Sequence, residues 1–483
     1  MAPLLGIVIL GAGLRFFWLG HKSLWLDEAF SLWMAQRPPG ELWGTLVDLD
    51  QHPPLFYGLL ALWRGLFGDS EAALRALSAL AGIATLPVFF LAVDRLLGRT
   101  TARMALLLLA ISPFQIAYAQ EARMYALLCL AAAVSLLAVA TLGRDGWPSF
   151  SGRPMPWMGL VLAQAAALWL HNTAIFLPVA LTGAALALGV PRRRWLMAQA
   201  AVGMLWLPWL PGFLAQARSV ADGFWIAPPT VATVFWVIAD FGMAYMPGWL
   251  PLTPYLPLTM LGLVLFAGVK MGRRPGLRSP LLALLSVLLV PVLGSLLASL
   301  VRPIFLNRTL IWAGLPYLAL AAWGIVHLPR PSLRRAGVAA VVGATLLCLI
   351  NYYVYSPKED WRTTAHLVAD LAQPGDLVLF NAGWTQLPFD YYFERSPSSA
   401  HVARRGLPAD LFERGELEPV MLPADLPYLD SLIQERDGVW LVYSHEAYTD
   451  PDQLILAALE QKLTLVEQWP LVGIHLKQFA PPN

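Results

Sequence analysis

The sequence predicts an α-helical polytopic membrane protein with about eleven transmembrane helices, outer juxtamembrane helices and a small C-terminal α/β domain. The 483 residues are 58% hydrophobic and only 13% charged, about half the charge fraction of a soluble globular protein. Long apolar runs, each near the roughly 20 residues that cross a bilayer core, recur until about residue 353. After residue 354 charge rises, and helix and strand patterns alternate.

The apolar runs define the expected spans. A twelfth stretch, 230–247, is expected to form an interfacial helix because Asp240 and nearby Pro and Gly interrupt it. Residues 1–20 lack a basic leader and a small-residue cleavage site, so we expect a retained first span. The eleven expected spans are 3–20, 75–95, 103–119, 124–142, 157–171, 173–190, 195–212, 250–269, 280–301, 309–327 and 335–353.

Clusters of basic residues predict the orientation. They are Arg95, Arg99 and Arg103; Arg144 and Arg153; Arg192, Arg193 and Arg194; Lys270, Arg273, Arg274 and Arg278; and Arg330, Arg334 and Arg335. These clusters fall on alternate connections, which we therefore expect on the cytoplasmic side of the cytoplasmic membrane. The other connections, including 21–74 and everything after about 354, are expected outside. The stretch 53–68 is too short to cross comfortably and is expected to be a juxtamembrane helix in the outer interface.

Two domains follow from the composition. Residues 1–353 hold the spans and the first outer loop 21–74, and residues 354–483 form the extracytoplasmic domain. Residues 359–380 predict a helix, a Pro-Gly turn and a strand. Two strands are predicted at "GVWLVYS" and "GIHLKQF", and "DPDQLILAALEQKLTLVEQWP" predicts a helix leading into a strand. This alternation indicates an α/β domain.

Polar residues gather in the expected outer connections. Asp27 and Glu28 lie in "LWLDEAFSLW", where a partly desolvated carboxylate needs a partner or a function. Asp50 and His52 precede a double proline that fixes an extended backbone. The alternatives are interfacial charge at the first pair and a solvated proline turn at the second.

Further clusters lie near expected span ends. In "AQEARMYALL", Glu121 and Tyr125 are four residues apart, with Arg123 between them, and are expected to share a helix face. The alternative is a structural pair of Glu121 and Arg123 that caps the hairpin. Arg302 and Arg308 stand on the outer side, where guanidinium groups suit an anion, unless they snorkel.

Two other outer span ends carry polar residues. Arg75, with Glu71, starts the second span and is a candidate for an anionic headgroup or a snorkelling side chain. His171 and Asn172 end another span, and a lone histidine there is more often a structural hydrogen-bonding group than a ligand.

Together these residues favour chemistry on a lipid-linked anionic substrate. A carboxylate would act as general base on an acceptor hydroxyl, and arginines would bind a departing phosphate. No glycine-rich phosphate loop is present, which favours a donor other than a nucleotide sugar. The competing class is a lipid or glycan transporter or flippase, which would place polar residues near mid-bilayer and often show repeated halves. A non-catalytic scaffold in envelope polymer assembly is a third alternative.

The first 130 residues resemble the GT-C glycosyltransferases, specifically the protein O-mannosyltransferase and aminoarabinose-transferase group (glycosyltransferase family 39 and relatives). The motifs that carry this resemblance are "LDE" at 26–28, "HPPLFY" at 52–57, "EAALRALSAL" at 71–80 and "QEARMY" at 120–125. The later spans and the C-terminal domain match in layout only. The chain has no room for the luminal β-trefoil of eukaryotic mannosyltransferases, so the resemblance implies a prokaryotic member.

The resemblance implies inverting transfer of a sugar from a polyprenyl-phosphate donor to a hydroxyl of a lipid, glycan or protein, with no role for nucleic acid. Asp27 matches the essential acid/base aspartate, and Glu28 would support it or contact the acceptor. Arg75 and Arg123 match family arginines with donor-phosphate or structural roles. The aminoarabinose branch tends to have Glu-Lys before the double proline, where this chain has Gln51-His52.

A divalent metal ion is the one candidate cofactor. Some GT-C enzymes bind a divalent metal ion, for which Asp27, Asp50 and His52 are the candidate ligands, with Glu28 beside them. Their spacing is not a metal-binding signature.

Overall fold

The computed structural model describes residues 2–143, 154–219, 226–251, 255–397, 402–411, 413–414, 419–434 and 436–482. The predicted basic pair Arg144 and Arg153 lies outside them. The chain divides into two compact units. The helical unit comprises Met1–Leu19, Gln51–Trp63 and Ala72–Ser356, and the mixed unit comprises Gly20–Asp50, Arg64–Glu71 and Pro357–Asn483.

Seventeen α-helices precede residue 351 in the described part of the chain. The helices α1 to α17 are Ala2–Phe16, Leu26–Ala35, Pro39–Leu49, Leu55–Phe67, Glu71–Leu97, Arg99–Ile111, Pro113–Ala119, Tyr125–Leu142, Pro154–Leu170, Phe176–Ala187, Arg192–Trp206, Leu210–Ser219, Val231–Met243, Leu256–Gly272, Pro275–Ser299, Gly314–Val326 and Pro331–Ile350. Short 3₁₀ turns at Asn172–Ile175 and Arg308–Ala313 precede α10 and α16, and a π-helical turn, Asn351–Tyr355, follows α17.

The chain is a multi-pass membrane protein. Among the described residues, six helices are long and apolar enough to cross a membrane, or seven if the pair α6–α7 is one span bent by 54°. The bend has a local cause, since Pro113 lacks an N–H and the Ser112 hydroxyl caps the new helix. Each of the eleven predicted stretches overlaps an apolar helix or helix pair, but several of these helices are short. The number of spans therefore stays a prediction.

The helix α16 lies at the centre of the helical unit. Every residue from Gly314 to Ile325 is buried, which a span surrounded by other helices requires. Its glycines allow close approach: a Cβ at Gly324 would lie 2.5 Å from the backbone oxygen of Leu263 on α14. Small residues at such crossings let helices pack closely in membranes.

The mixed unit contains a five-stranded sheet. The strands β1 to β5 are Leu377–Phe380, Ala403–Gly406, Val439–Tyr443, Thr464–Leu471 and Ile474–Ala480, in the order β2-β1-β3-β5-β4. The strand β1 pairs in parallel with β2 and β3, whereas β5 pairs antiparallel with β3 and β4. The helices α18 to α22 are Trp361–Leu371, Gln386–Phe393, Leu426–Ile433, Glu446–Thr449 and Leu454–Lys462. The predicted C-terminal α/β domain is confirmed, including all four strands that the sequence indicated.

Two segments that precede α5 or begin it, Gly20–Asp50 and Arg64–Glu71, belong to the mixed unit and contact its helices α18 and α19. The guanidinium of Arg362 pairs with the Glu71 carboxylate at 2.6 Å and donates to the backbone oxygens of Gly20 and His21. The Tyr392 hydroxyl accepts from the Leu24 N–H at 2.7 Å and donates to Glu71 at 3.2 Å. The domain boundaries predicted from composition stay a prediction.

Candidate active site

A buried, non-helical segment interrupts the helices of the helical unit between α7 and α8. The amide of Gln120 donates to three carbonyl oxygens at the end of α1, 2.8–3.2 Å away, and accepts from the Tyr352 hydroxyl at 2.9 Å. These bonds give partners to carbonyl oxygens at the end of α1, where the helix itself leaves them without a hydrogen bond, which is costly within a membrane protein. Glu121 and Arg123 follow, and both are buried. The expectation that Glu121 and Tyr125 share a helix face is wrong, because α8 begins only at Tyr125.

His52 is held through its backbone. The Gln216 amide donates to the His52 carbonyl oxygen at 3.2 Å, and the Asn172 amide donates both to the Gln51 carbonyl oxygen and to Gln216, each at 2.8 Å. The rings of His52 and His171 are 5.0 Å apart. Two distant segments of the chain thus bring these histidines together.

Aromatic rings connect the histidines to the α7–α8 segment. The Tyr125 ring lies 5.9 Å from His171 and 5.2 Å from Tyr118. Arg123, Arg308 and His52 lie close enough to His171 to act on it electrostatically, and Glu121 and Arg308 act in the same way on Tyr118. Five of the predicted residues therefore lie in one polar cluster, here called the arginine–histidine cluster: His52, Glu121, Arg123, Tyr125 and Arg308.

Two further predicted arginines differ in position. Arg75 is buried and donates to the Leu19 carbonyl oxygen at 2.9 Å. It acts electrostatically on Tyr352, as Glu121 of the cluster does. The side chain of Arg302 makes no hydrogen bond or ion pair with any residue that the structure describes, so nothing connects it to the cluster.

The structure adds residues that the sequence did not single out as a site. The Asp240 carboxylate on α13 accepts from the Asn307 amide at 2.7 Å, and the Asn307 amide oxygen accepts from the Tyr118 hydroxyl at 3.5 Å. Gln216, which positions His52, was also missed. A buried amide in an apolar helix is the only local signal, since its partners are far away in sequence.

In the mixed unit, Asp27 and Glu28 occupy the first turn of α2. Asp27 is half-buried, whereas the Glu28 side chain is fully buried and pairs with Lys358 at 3.0 Å. The Trp25 N–H also approaches Glu28, at 3.4 Å. This pairing provides the partner that a buried carboxylate needs, and it fixes the start of the helix that carries Asp27.

The candidate metal ligands do not form a recognisable metal site. No group of three or more His, Cys, Asp or Glu side chains is arranged to hold a metal ion among the residues that the structure describes. No step of the chemistry below is assigned to a metal ion.

The arginine–histidine cluster suits an anion. The cluster contains two guanidinium groups and the His52 imidazole, with the His171 imidazole beside it and Glu121 as its acidic member. Guanidinium groups bind phosphate oxygens through charge-assisted hydrogen bonds, which are stronger in a buried site than in water.

Comparison with known proteins gives one family match and several similar folds. Residues 51–212 match the model of a family described as dolichyl-phosphate-mannose-protein mannosyltransferase. A search of the curated proteins found no match. Among solved structures, ArnT from Cupriavidus metallidurans bound to undecaprenyl phosphate has a TM-score of 0.61 at 14% identity, covering 98% of this chain and 97% of that one.

An archaeal enzyme has a similar fold. The oligosaccharyltransferase AglB from Archaeoglobus fulgidus, in complex with an inhibitory peptide and a dolichol-phosphate, gives a TM-score of 0.57 at 11% identity, over 100% of this chain and 74% of that one. The fold is GT-C-like. The predicted resemblance to the protein O-mannosyltransferase and aminoarabinose-transferase group is confirmed by the family match over residues 51–212 and by the similar fold.

Proposed function

We propose that the protein transfers a sugar from a polyprenyl-phosphate donor to a hydroxyl acceptor at the outer face of the cytoplasmic membrane. The observation that carries this proposal is the convergence of Arg123, Arg308, His52 and His171 within the helical unit. The similarity to ArnT with undecaprenyl phosphate and to AglB with dolichol-phosphate supports a lipid phosphate as the group that these cations bind.

The proposed reaction is a single displacement. The acceptor oxygen attacks the anomeric carbon, and the bond from that carbon to the phosphate oxygen breaks on the opposite face. The configuration is therefore inverted, and polyprenyl phosphate leaves with the bonding electrons. Asp27 takes the hydroxyl proton as general base, while Arg123 and Arg308 stabilise the charge on the departing phosphate.

Other residues have supporting parts in this proposal. Glu28 acts as a positioning residue, since its ion pair with Lys358 fixes the first turn of α2. Arg75 and Tyr125 shape the border of the phosphate site, and Glu121 sets the orientation of the nearby cations. Arg302 is proposed to contact the donor only as it enters, because no described contact connects it to the cluster.

The test uses purified protein in nanodiscs, with radiolabelled polyprenyl-phosphate mannose, glucose and aminoarabinose and a crude envelope extract as acceptor. Wild type should transfer one of these sugars. Asp27→Asn should reduce kcat roughly 10²- to 10⁴-fold, as removal of a general base does. The matched control is Asp48→Asn, an exposed aspartate of the same loop, which should retain wild-type transfer.

The phosphate site is tested in the same assay. Arg308→Ala should raise the donor KM roughly ten- to hundredfold, the loss expected for one charge-assisted hydrogen bond. Arg218→Ala removes an exposed arginine of the helical unit and should leave the KM unchanged. Wild-type transfer by Asp27→Asn would refute the assignment of the base, and an unchanged donor KM in Arg308→Ala would refute the assignment of the phosphate site.

A further inference from the structure

A cavity of about 460 Å³ lies beside the C-terminal end of α13, within the helical unit. Its volume falls in the range of ligand pockets in proteins. It is lined by Trp236, Asp240 and Tyr245, together with Met246, Leu250 and Pro251. The mixture of aromatic rings, one carboxylate and aliphatic groups distinguishes it from the arginine–histidine cluster.

Three polar groups of this cavity have unused hydrogen-bonding capacity among the residues that the structure describes. One oxygen of Asp240 accepts from the Asn307 amide, and the other accepts from no described residue. Trp236 is 42% exposed, and its indole N–H donates to no described side chain or backbone oxygen. The Tyr245 hydroxyl likewise makes no hydrogen bond within the described residues.

The backbone holds Tyr245 in place against this cavity. Its φ of 60° lies in the left-handed region, which a bulky residue rarely adopts. The Asn351 amide donates to the Tyr245 carbonyl oxygen at 3.1 Å, and the ring packs 4.8 Å from Tyr352. Burial raises the pKa of the Tyr245 hydroxyl, so this group remains a hydrogen-bond donor at neutral pH.

The lining favours one kind of ligand. A pyranose ring has an apolar C–H face, which stacks on an indole, and hydroxyls that donate to carboxylates and accept from N–H and O–H groups. A phosphate is disfavoured because Asp240 would repel it and because no described lining residue is lysine or arginine. A lipid chain is disfavoured because it would desolvate the second Asp240 oxygen, which accepts from no described residue, without offering it a hydrogen-bond donor.

Asn307 connects the cavity to the arginine–histidine cluster. Its amide nitrogen bonds Asp240 and its amide oxygen accepts from Tyr118, whose ring packs on Tyr125 of the cluster. The cavity and the cluster are therefore connected through two side chains, Asn307 and Tyr118.

We propose that this cavity is a sugar-binding subsite, in which Trp236 stacks on a pyranose ring and Asp240 accepts hydrogen bonds from its hydroxyls. The assignment of that ring to the reaction rests on the proposed function, and the ring belongs either to the lipid-linked donor or to a glycan acceptor. The subsite itself is defined by side chains that take no part in the phosphate site or in proton transfer.

The first experiment measures binding without turnover. Saturation-transfer NMR on protein in nanodiscs uses methyl α-D-mannopyranoside, methyl β-D-glucopyranoside and methyl 4-amino-4-deoxy-L-arabinopyranoside. Wild type should bind at least one of them. Trp236→Ala should weaken its binding roughly three- to tenfold, as loss of an aromatic contact does, whereas Trp236→Phe should retain most of it. Trp249→Ala removes an exposed tryptophan outside the described lining and should bind as wild type does.

The second experiment identifies the source of the ring. If the ring belongs to the donor, Trp236→Ala and Asp240→Asn raise the KM for the polyprenyl-phosphate sugar, while retention of sugar-free undecaprenyl phosphate is unchanged. If it belongs to the acceptor, the acceptor KM rises instead.

The outcomes separate this proposal from the proposed function. Glycoside binding that depends on Trp236, in a protein that transfers no sugar, would support the subsite and refute the transferase. Transfer that depends on Asp27 but is unaffected by Trp236→Ala would support the transferase and refute the assignment of the ring to the reaction. Binding of no glycoside by wild type, or equal binding by wild type and Trp236→Ala, would overturn the subsite.

Discussion

The burial of the ion pair between Glu28 and Lys358 predicts how much stability the protein loses when the lysine is removed. The Lys358 ammonium lies 3.0 Å from the Glu28 carboxylate, whose side chain is 0% exposed, whereas the lysine side chain is 15% exposed. The Lys358→Ala variant removes the cation but leaves the carboxylate in its buried position. A buried charge without its counterion is costly because protein cannot replace its hydration.

The magnitude follows from the burial of the pair. Removing one partner of a buried ion pair costs about 3–5 kcal/mol of the free energy of unfolding. The pair Lys462–Asp430 is the matched control, since both side chains are 44% exposed. Lys462→Ala should therefore cost at most about 1 kcal/mol. Replacing both buried charges, as in Glu28→Gln with Lys358→Met, should restore most of the loss because no charge remains without a partner.

The assay is thermal unfolding of the full chain in detergent at pH 7. Lys358→Ala should lower Tm by at least about 5 °C, given the few degrees that each kcal/mol represents for a unit of this size. The double variant should recover most of that loss. A Tm for Lys358→Ala equal to that of Lys462→Ala would show that the Glu28 carboxylate does not depend on Lys358, and the reasoning from burial would fail.

Two other substitutions test packing and capping. Gly324→Ala should lower the free energy of unfolding by about 1–3 kcal/mol, because its Cβ would lie 2.5 Å from the Leu263 carbonyl oxygen. The control Gly262→Ala adds a Cβ with nothing within 4 Å and should be neutral or stabilising. Equal Tm values for the two variants would contradict this prediction. Asp450→Ala should lower the free energy of unfolding in detergent by about 2–3 kcal/mol. The buried Asp450 carboxylate accepts hydrogen bonds from two N–H groups at the start of α22 and from the Tyr443 hydroxyl, and the variant loses all three. The exposed control Asp452→Ala should stay within about 0.5 kcal/mol, and a similar loss in both variants would refute the capping role.

Strong local patterns made much of the fold predictable. The apolar stretches and the strands β1, β3, β4 and β5 have compositions that decide their structure without reference to the rest of the chain. The strand β2, Ala403–Gly406, was missed because its sequence, "ARRG", has no hydrophobic alternation. It is a strand only because it pairs with β1 at the edge of the sheet. The helix α19, Gln386–Phe393, was missed because aromatic residues dominate it and favour strands as readily as helices.

Some residues of the candidate site could be predicted from the sequence, whereas their proximity in space could not. His52, Glu121 and Arg123 lie in short polar motifs that interrupt apolar sequence, so the residue order alone singles them out. Their proximity to Arg308 and His171 depends on how the helices pack, and no spacing in the sequence encodes it. Asp240 was noticed only as an interruption of an apolar stretch, because its partner Asn307 is 67 residues away.

The proposed phosphate site would bind the group that all donors share, whereas the proposed sugar subsite would distinguish one sugar from another. Arginines bind the phosphate of any polyprenyl-phosphate sugar about equally well, because the phosphate is the same in all of them. Discrimination between sugars therefore needs groups that contact the ring itself, and a difference in affinity arises where a hydroxyl or an amino group is left unpaired. Asp240 would accept from a hydroxyl and would pair more strongly with an ammonium group, so Asp240→Asn should weaken binding of the amino sugar more than that of mannoside or glucoside. Preference for the amino sugar would then be set by this carboxylate, although the pair Gln51-His52 departs from the aminoarabinose branch.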